Sequence, residues 1–202
     1  RQRLSAVDAN LAQVVELTER MAEISAQLRQ FSRKSDSSLT TVSVQACFAY
    51  ALRLYQSRVD HVEGGQDWEP EAWVRADLVR LEQVLVNLIG NALQAMAEAP
   101  TSRLTLSTTL EGEYIRISVS DTGPGIPASH LAHIFEPFFT TKSPGSGLGL
   151  GLSISARIIQ DLGGRIEARN LSDGGACFTL ILPRTESPES RPYPSEERQT
   201  HA

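Results

Sequence analysis

The chain is poor in cysteine, has no long apolar run and carries no excess of positive charge. Each lack narrows what it can be. Its two cysteines, Cys47 and Cys177, are far apart in sequence and set among apolar neighbours. Two buried, reduced thiols fit that placement better than a disulfide, and they suit a cytosolic setting. No stretch approaches the roughly 20 apolar residues that cross a bilayer, and no signal-peptide pattern opens the chain. The first residue is Arg1 rather than Met, so the sequence reads as a piece of a longer protein. A net charge of -5 and a pI near 5.4 argue against a nucleic-acid partner, which calls for a basic surface. The P-loop pattern is absent. Asn170-Leu171-Ser172 matches a glycosylation acceptor, but three residues match by chance and carry little weight.

What is present divides into three regions. The 202 residues, 41% of them hydrophobic, suffice for one compact domain plus extra segments. Residues 1 to 34 contain neither glycine nor proline. There Val7, Asn10, Val14, Leu17, Met21, Ile24, Leu28 and Phe31 alternate steps of three and four, a heptad seam with one polar member. Such a seam requires another helix against it, and Asn10 is placed to fix register. A long helix packed on its own domain is the alternative. Residues 35 to 41, SDSSLTT, read as a linker. A domain follows over 42 to 182. Residues 183 to 202 hold four prolines and four glutamates without apolar periodicity, the composition of a disordered tail.

Within the domain, residues 44 to 57 read as a helix with Cys47, Ala51, Leu54 and Tyr55 on one face. Short strands are expected near Val59 to Glu63 and Trp73 to Arg75. Leu104 to Thr108 and Ile115 to Val119 alternate like a half-buried hairpin turned at Glu111 to Glu113. Ile166 to Ala168 and Cys177 to Leu182 form a second pair turned at Asp173 to Gly175. This order predicts a two-layer α/β sandwich, helices on one face of a mostly antiparallel sheet.

The helix LEQVLVNLIGNALQAM, residues 81 to 96, is apolar along Leu81, Val84, Leu85, Leu88, Ala92 and Met96, with a second face at Val86, Ile89, Leu93 and Ala97. Asp77 is its expected N-cap. Its polar residues fall on one line: Arg80, Gln83, Asn87, Asn91, Gln94 and Glu98. Asparagine competes with the helix for backbone hydrogen bonds, so two of them four residues apart suggest a jointly held ligand. A solvated polar edge is the commoner explanation.

Eight of the 14 glycines lie between Gly123 and Gly164. DTGPGIP, residues 121 to 127, follows a strand. Asp121 there is placed to accept from a ligand amine, and Gly123 and Gly125 permit backbone forms that side chains forbid; an ordinary turn is the plain alternative. GSGLGLGLSISARIIQDLGG, residues 145 to 164, is a glycine-rich loop entering a helix, where free N–H groups and the helix dipole attract phosphate. Lys142 upstream adds a point charge. His130 and His133 lack a Cys or carboxylate partner at metal-ligand spacing. Phe135, Phe138 and Phe139 more plausibly anchor a segment to the core, which makes residues 126 to 148 a lid over a phosphate-bearing ligand.

Taken in order, NLIGNA (87 to 92), DTGPGIP (121 to 127), FEPFFTTK (135 to 142) and GLGLGLS (147 to 153) resemble the N, G1, F and G2 boxes of the ATP-binding domain of sensor histidine kinases. These share a superfamily with gyrase, Hsp90 and MutL ATPases. The heptad segment, ending LRQFSRKS, resembles the second helix of the family's dimerisation domain. That ending and the G2 box look most like C4-dicarboxylate transport sensor kinases.

The resemblance implies a Bergerat-type sandwich preceded by a coiled-coil-type helix, binding ATP with Mg²⁺. It implies that Asn91 coordinates Mg²⁺ with Asn87 beside it, and that Asp121 accepts from the adenine amine. Gly123 and Gly125 would admit the base; Lys142, Gly147, Leu148, Gly149 and Gly151 would hold the phosphates. It also implies a protein-histidine kinase. The hairpin partner that should cover Val14, Met21 and Leu28 is absent, so two copies of the chain are expected to pair as a homodimer through residues 4 to 31. The implied partner is a response-regulator receiver domain, and the implied location the cytoplasmic portion of an inner-membrane-anchored bacterial sensor. Where related ATPases place a glutamate, Asn87 offers an amide that cannot take a proton, so hydrolysis is expected to be slow. None of the four histidines, His61, His130, His133 and His201, lies on the heptad segment. The phosphoacceptor is therefore expected outside this chain. A superfamily serine kinase or ATPase, or a non-catalytic nucleotide-binding and dimerisation module, are the competing readings.

Overall fold

A computed structural model describes residues 38–59, 63–97, 99, 102–141 and 148–187. The heptad segment 1–34 with its expected dimer contact, Lys142, Gly147, His61, His201 and the tail beyond 187 lie outside the described residues.

The chain enters as β1 (Thr40–Ser43), then α1 (Val44–Leu54), the single turn α2 (Gln56–Val59), β2 (Glu63–Asp67) and β3 (Trp73–Ala76). Next come α3 (Leu78–Ala95), β4 (Arg103–Glu111), β5 (Tyr114–Asp121), the short α4 (Ala128–Leu131), α5 (Gly151–Asp161), β6 (Arg165–Asn170) and β7 (Ala176–Pro183). Five strands form one sheet in the order β2-β4-β5-β7-β6; only β2 and β4 run parallel. β1 and β3 make a separate antiparallel pair. The architecture is the expected α/β sandwich.

Alternation explains the layers. Leu104 and Leu106 on β4, and Ile115, Ile117 and Val119 on β5, are buried on one face, while the residues between them are not. That face packs on Leu81, Leu85, Leu88 and Ile89 of α3, Phe48 of α1 and Ile158 and Ile159 of α5. Truncating one such leucine to alanine destabilises by roughly 2–5 kcal/mol through lost burial plus a cavity.

α3 starts where Asp77 caps it: Oδ1 accepts from the Val79 and Arg80 amides at 3.0 and 3.3 Å. α5 ends with Gly163 N–H donating to Gln160 O and Gly164 N–H to Ile159 O, the paired bonds that close a helix on glycine.

Strand β7 departs from alternation, being buried on both faces from Ala176 to Leu182. Its outer side is roofed by neighbours: Arg116 of β5 reaches Glu167 of β6 at 3.7 Å, passing over the positions of Thr179 and Ile181.

Several expectations are corrected. The strand foreseen at Val59 to Glu63 begins at Glu63; Val59 closes α2 by bonding back to Tyr55 O. EGGQD has no apolar alternation, so only its parallel pairing with β4 makes it a strand. The inward face of α1 is Val44, Cys47, Phe48 and Ala51; Leu54, at the last residue of the helix, is 56% exposed. On α3's second face Ile89 and Leu93 are buried, but Ala97 lies past the helix end and is exposed. Thr40 and Thr41, assigned to the linker, pair in β1. The stretch assigned to the tail begins as structure: Arg184 N–H donates to Glu113 O and Thr185 N–H to Trp73 O. No helix among the described residues is long and apolar enough to cross a membrane.

Both cysteines are free and buried. Burial, and then the nearby negative charge of Glu82, push the Cys47 thiol up to about 12, and the thiolate is the reactive form. Ellman's reagent at pH 8 is therefore expected to titrate neither thiol of the folded protein within minutes and both after unfolding. Rapid stoichiometric labelling of the native chain would contradict this packing.

Candidate functional site

The polar line of α3 does not face open solvent. α5 lies antiparallel along it. At one end Arg80 pairs with Asp161 at 2.7 Å; seven residues on, Asn87 Nδ2 donates to Ser155 Oγ at 3.0 Å. At 1.5 Å per residue the two helices advance in step, about 10 Å on α3 and about 9 Å on α5. Gly151, the first residue of α5, lies against the same asparagine: a β-carbon there would stand 2.5 Å from Asn87 Oδ1, so any side chain would displace that amide. The first turn of α5, with its positive dipole end, thus sits against Asn87, with Asn91 one turn along α3.

The aspartate turn meets the same helix one turn further on. Gly123 rests against Ala95: a β-carbon at 123 would lie 3.0 Å from Ala95 O. Asp121 ends β5 with 3% of its surface exposed. Its Oδ1 accepts from Gly123 N at 2.9 Å and Ala176 N at 3.4 Å, while Oδ2 accepts no bond among the described residues. Burial raises its pKa above the ordinary carboxylate value, and the Gly123 and Ala176 amides offset part of that. Gly125 is fixed by Asn170, whose side chain accepts from Ile126 N and donates to Ile126 O, both at 2.7 Å. In the antiparallel register Asp121, Asn170 and Ala176 all stand at one end of the sheet. Asn87, Asn91, Asp121, Gly123 and Gly151 therefore gather around the Asn87–Ala95 stretch of α3.

The lid boundary has its own constraint. Gly149, at φ +68°, packs directly against the Phe138 and Phe139 backbone, leaving no room for a side chain. Leu148 packs against the core beside it. Phe135 and Phe139 anchor as expected, but Phe138 is corrected: it is 66% exposed and itself left-handed at φ 67°. His133 pairs with Glu136 at 2.8 Å, and the His130 ring meets Phe139 edge to face. No group of three or more His, Cys, Asp or Glu that could hold a metal occurs among the described residues.

Sequence reasoning missed Ser155 and Asn170. Ser155 was an unremarked small residue in a helix; Asn170 was weighed only as part of a glycosylation triplet.

Because the buried Asp121 carboxylate is destabilised by desolvation, the folded state binds its proton more tightly than the unfolded state. The contribution that Asp121 makes to stability is therefore present below the unfolded-state pKa, falls as pH rises, and is fully lost above the folded-state pKa. Asp121→Asn keeps the Oδ1 acceptor and removes the charge. It is expected to raise Tm at pH 7, with the gain shrinking toward zero below about pH 4. A lower Tm at pH 7 would show that the charge is favourable where it sits.

Comparison with known proteins gives the family. The family model for histidine kinase-, DNA gyrase B- and HSP90-like ATPases matches residues 76–186. The C4-dicarboxylate transport sensor protein DctB of Pseudomonas aeruginosa is 41% identical over 186 residues, covering 90% of this chain and 30% of its own length. The chain thus spans under a third of that curated relative. The catalytic domain of histidine kinase ThkA superposes with a TM-score of 0.66 at 31% identity, covering 74% of this chain and 99% of that one. Full-length ShkA in complex with AMPPNP gives 0.73 at 27% identity, covering 93% and 40% respectively. Since the family model takes in more than half of the 202 residues, the chain belongs to the histidine kinase-, DNA gyrase B- and HSP90-like ATPase family.

Proposed function

We propose that the chain is the ATP-binding catalytic part of a two-component sensor histidine kinase, delivering the γ-phosphate to a histidine outside residues 1–202. The observation that carries this reading is the meeting of the asparagine pair, the Asp121 turn and the α5 N-terminus along one 12 Å stretch of α3 (eight residues at about 1.5 Å each). Asp121 Oδ2, with Oδ1 already committed, is the acceptor for the adenine amine. The phosphates lie at the first turn of α5, with the backbone of Leu148, Gly149 and Gly151 and with Gly147 and Lys142. Two copies of this chain would pair through residues 4 to 31, while the whole parent would pass its phosphate to a receiver domain and be anchored at a bacterial inner membrane. A dicarboxylate signal is the finer assignment that the DctB likeness supports.

The described side chains fit a metal that arrives with its nucleotide. Asn91 offers a hard oxygen, and Mg²⁺ takes most of its remaining ligands from phosphate and water. When bound, Mg²⁺ neutralises phosphate charge during phosphoryl transfer. This chain's own part is to orient the triphosphate and to withhold a general base from water. Asn87 is an amide already bonded to Ser155. The carboxylate on α5, Asp161, is tied to Arg80 and Arg157 at the far end of the helix. Positioning without water activation preserves ATP for transfer, which favours a kinase over a free-running ATPase.

Calorimetric titration with ATP, with and without Mg²⁺, tests this. The wild-type chain is expected to bind ATP more tightly with Mg²⁺, and Asn91→Ala to lose most of that increment while still binding the base. Absence of ATP binding by the wild-type chain, or an unchanged Mg²⁺ increment in the variant, would defeat the assignment.

A further inference from the structure

Asn87 is held from two sides by α5, and neither contact follows from the motif it belongs to. Ser155 is buried, 2% exposed, and its hydroxyl accepts from Asn87 Nδ2 at 3.0 Å. Gly151, one turn earlier on α5, leaves only the space that Asn87 Oδ1 fills. The amide is thus clamped between a hydroxyl and a bare α-carbon, both on the face of α5 that meets α3.

The order along α3 gives this clamp a role. Ala95 touches the Asp121 turn through Gly123, Asn91 comes next, and Asn87 stands farthest from that turn. If the base lies at Asp121, Asn87 stands at the opposite, terminal-phosphate end. A side chain there senses whether a third phosphate is present, and its sharpness depends on how firmly it is held.

We propose that Ser155 is a positioning residue that, with Gly151, fixes the Asn87 amide and so sets the preference for adenosine triphosphate over the diphosphate. The proposal rests on the nucleotide-binding reading above. Ser155 touches no phosphate itself; it acts through Asn87. Nδ2 gives one of its two N–H groups to Ser155 and Oδ1 rests against Gly151, which fixes the direction in which the second N–H can donate to a phosphate oxygen. Without the hydroxyl, the amide rotates among several orientations, and the contacts that single out the third phosphate blur. The base end, two turns away at Asp121 and Ala95, is untouched.

The test measures affinity for Mg²⁺-bound AMPPNP and for ADP by calorimetry, on wild type, Ser155→Ala, Gly151→Ala, Asn87→Ala and the Ser155→Ala/Asn87→Ala pair. Ser155→Ala is expected to weaken AMPPNP about five- to tenfold, the scale of one lost hydrogen bond, while ADP stays within about twofold. The double variant should lose no more selectivity than Asn87→Ala alone, as expected of residues acting through one contact. Gly151→Ala gives an independent route. Its methyl meets the free end of the Asn87 side chain, and alanine favours a helix over glycine. The variant should fold, displace the amide and show the same selective loss. Equal weakening of both nucleotides by Ser155→Ala, or losses that simply add in the double variant, would reduce Ser155 to general packing and overturn the proposal. If wild type binds neither nucleotide, the functional reading itself fails, a result distinct from either.

Discussion

The packing of α5 against α3 is the constraint from which the rest of the site follows. Two antiparallel helices clasped at Arg80–Asp161 and Asn87–Ser155 can meet in only one register. That register carries the first turn of α5 against the Asn87 side chain. The Arg80–Asp161 pair is partly exposed and contributes little by itself. The Asn87–Ser155 bond is the more consequential, because Ser155 is buried and each of its polar atoms needs a partner. The apolar sides of both helices supply the bulk of the adhesion; the polar clasp selects the register. Glycine at 151 belongs to the same contact, since a side chain there would push the Asn87 amide out of its place against α5.

The sheet supplies the second half of the site through strand order. β5 ends, β6 ends and β7 begins at one end of the five-stranded sheet, which brings Asp121 to Asn170 and Ala176 although it is far from both in sequence. Asn170 makes two bonds to Ile126, so the DTGPGIP turn is tied to the β6–β7 corner rather than left as a free loop. Asp121 is the strained element. It is a buried carboxylate whose charge is raised in energy by desolvation and only partly offset by two amide donors, and it is held at a cost in stability. A desolvated carboxylate with one oxygen committed and one uncommitted is poorly suited to a structural role and well suited to recognising a donor that comes and goes.

Much of the frame was legible because local pattern and tertiary need coincided. Asp77 before an apolar helix, the alternation of β4 and β5 and the glycine after α5 each say the same thing at short and long range. The failures share a cause. EGGQD becomes a strand only by lying parallel to β4. β7 is buried on both sides, with the Arg116–Glu167 pair crossing its outer face. Phe138 is exposed where Gly149 packs on the backbone beside it. In each case the neighbour is distant in sequence. The site divides the same way. Asn87, Asn91, Asp121 and the glycines stand out as residues unusual for their positions. Ser155 and Asn170 are ordinary residues whose importance comes from what lies across from them.

The central claim is that three separate chain segments close on one nucleotide through the α3–α5 register. Hydrogen exchange of backbone amides, with and without Mg²⁺-bound AMPPNP, tests it most directly. The account predicts simultaneous protection in residues 84–96, 119–126 and 148–156, with the Glu111–Tyr114 hairpin at the opposite end of β5 unchanged. Protection confined to one of those segments, or appearing at the hairpin instead, would contradict it.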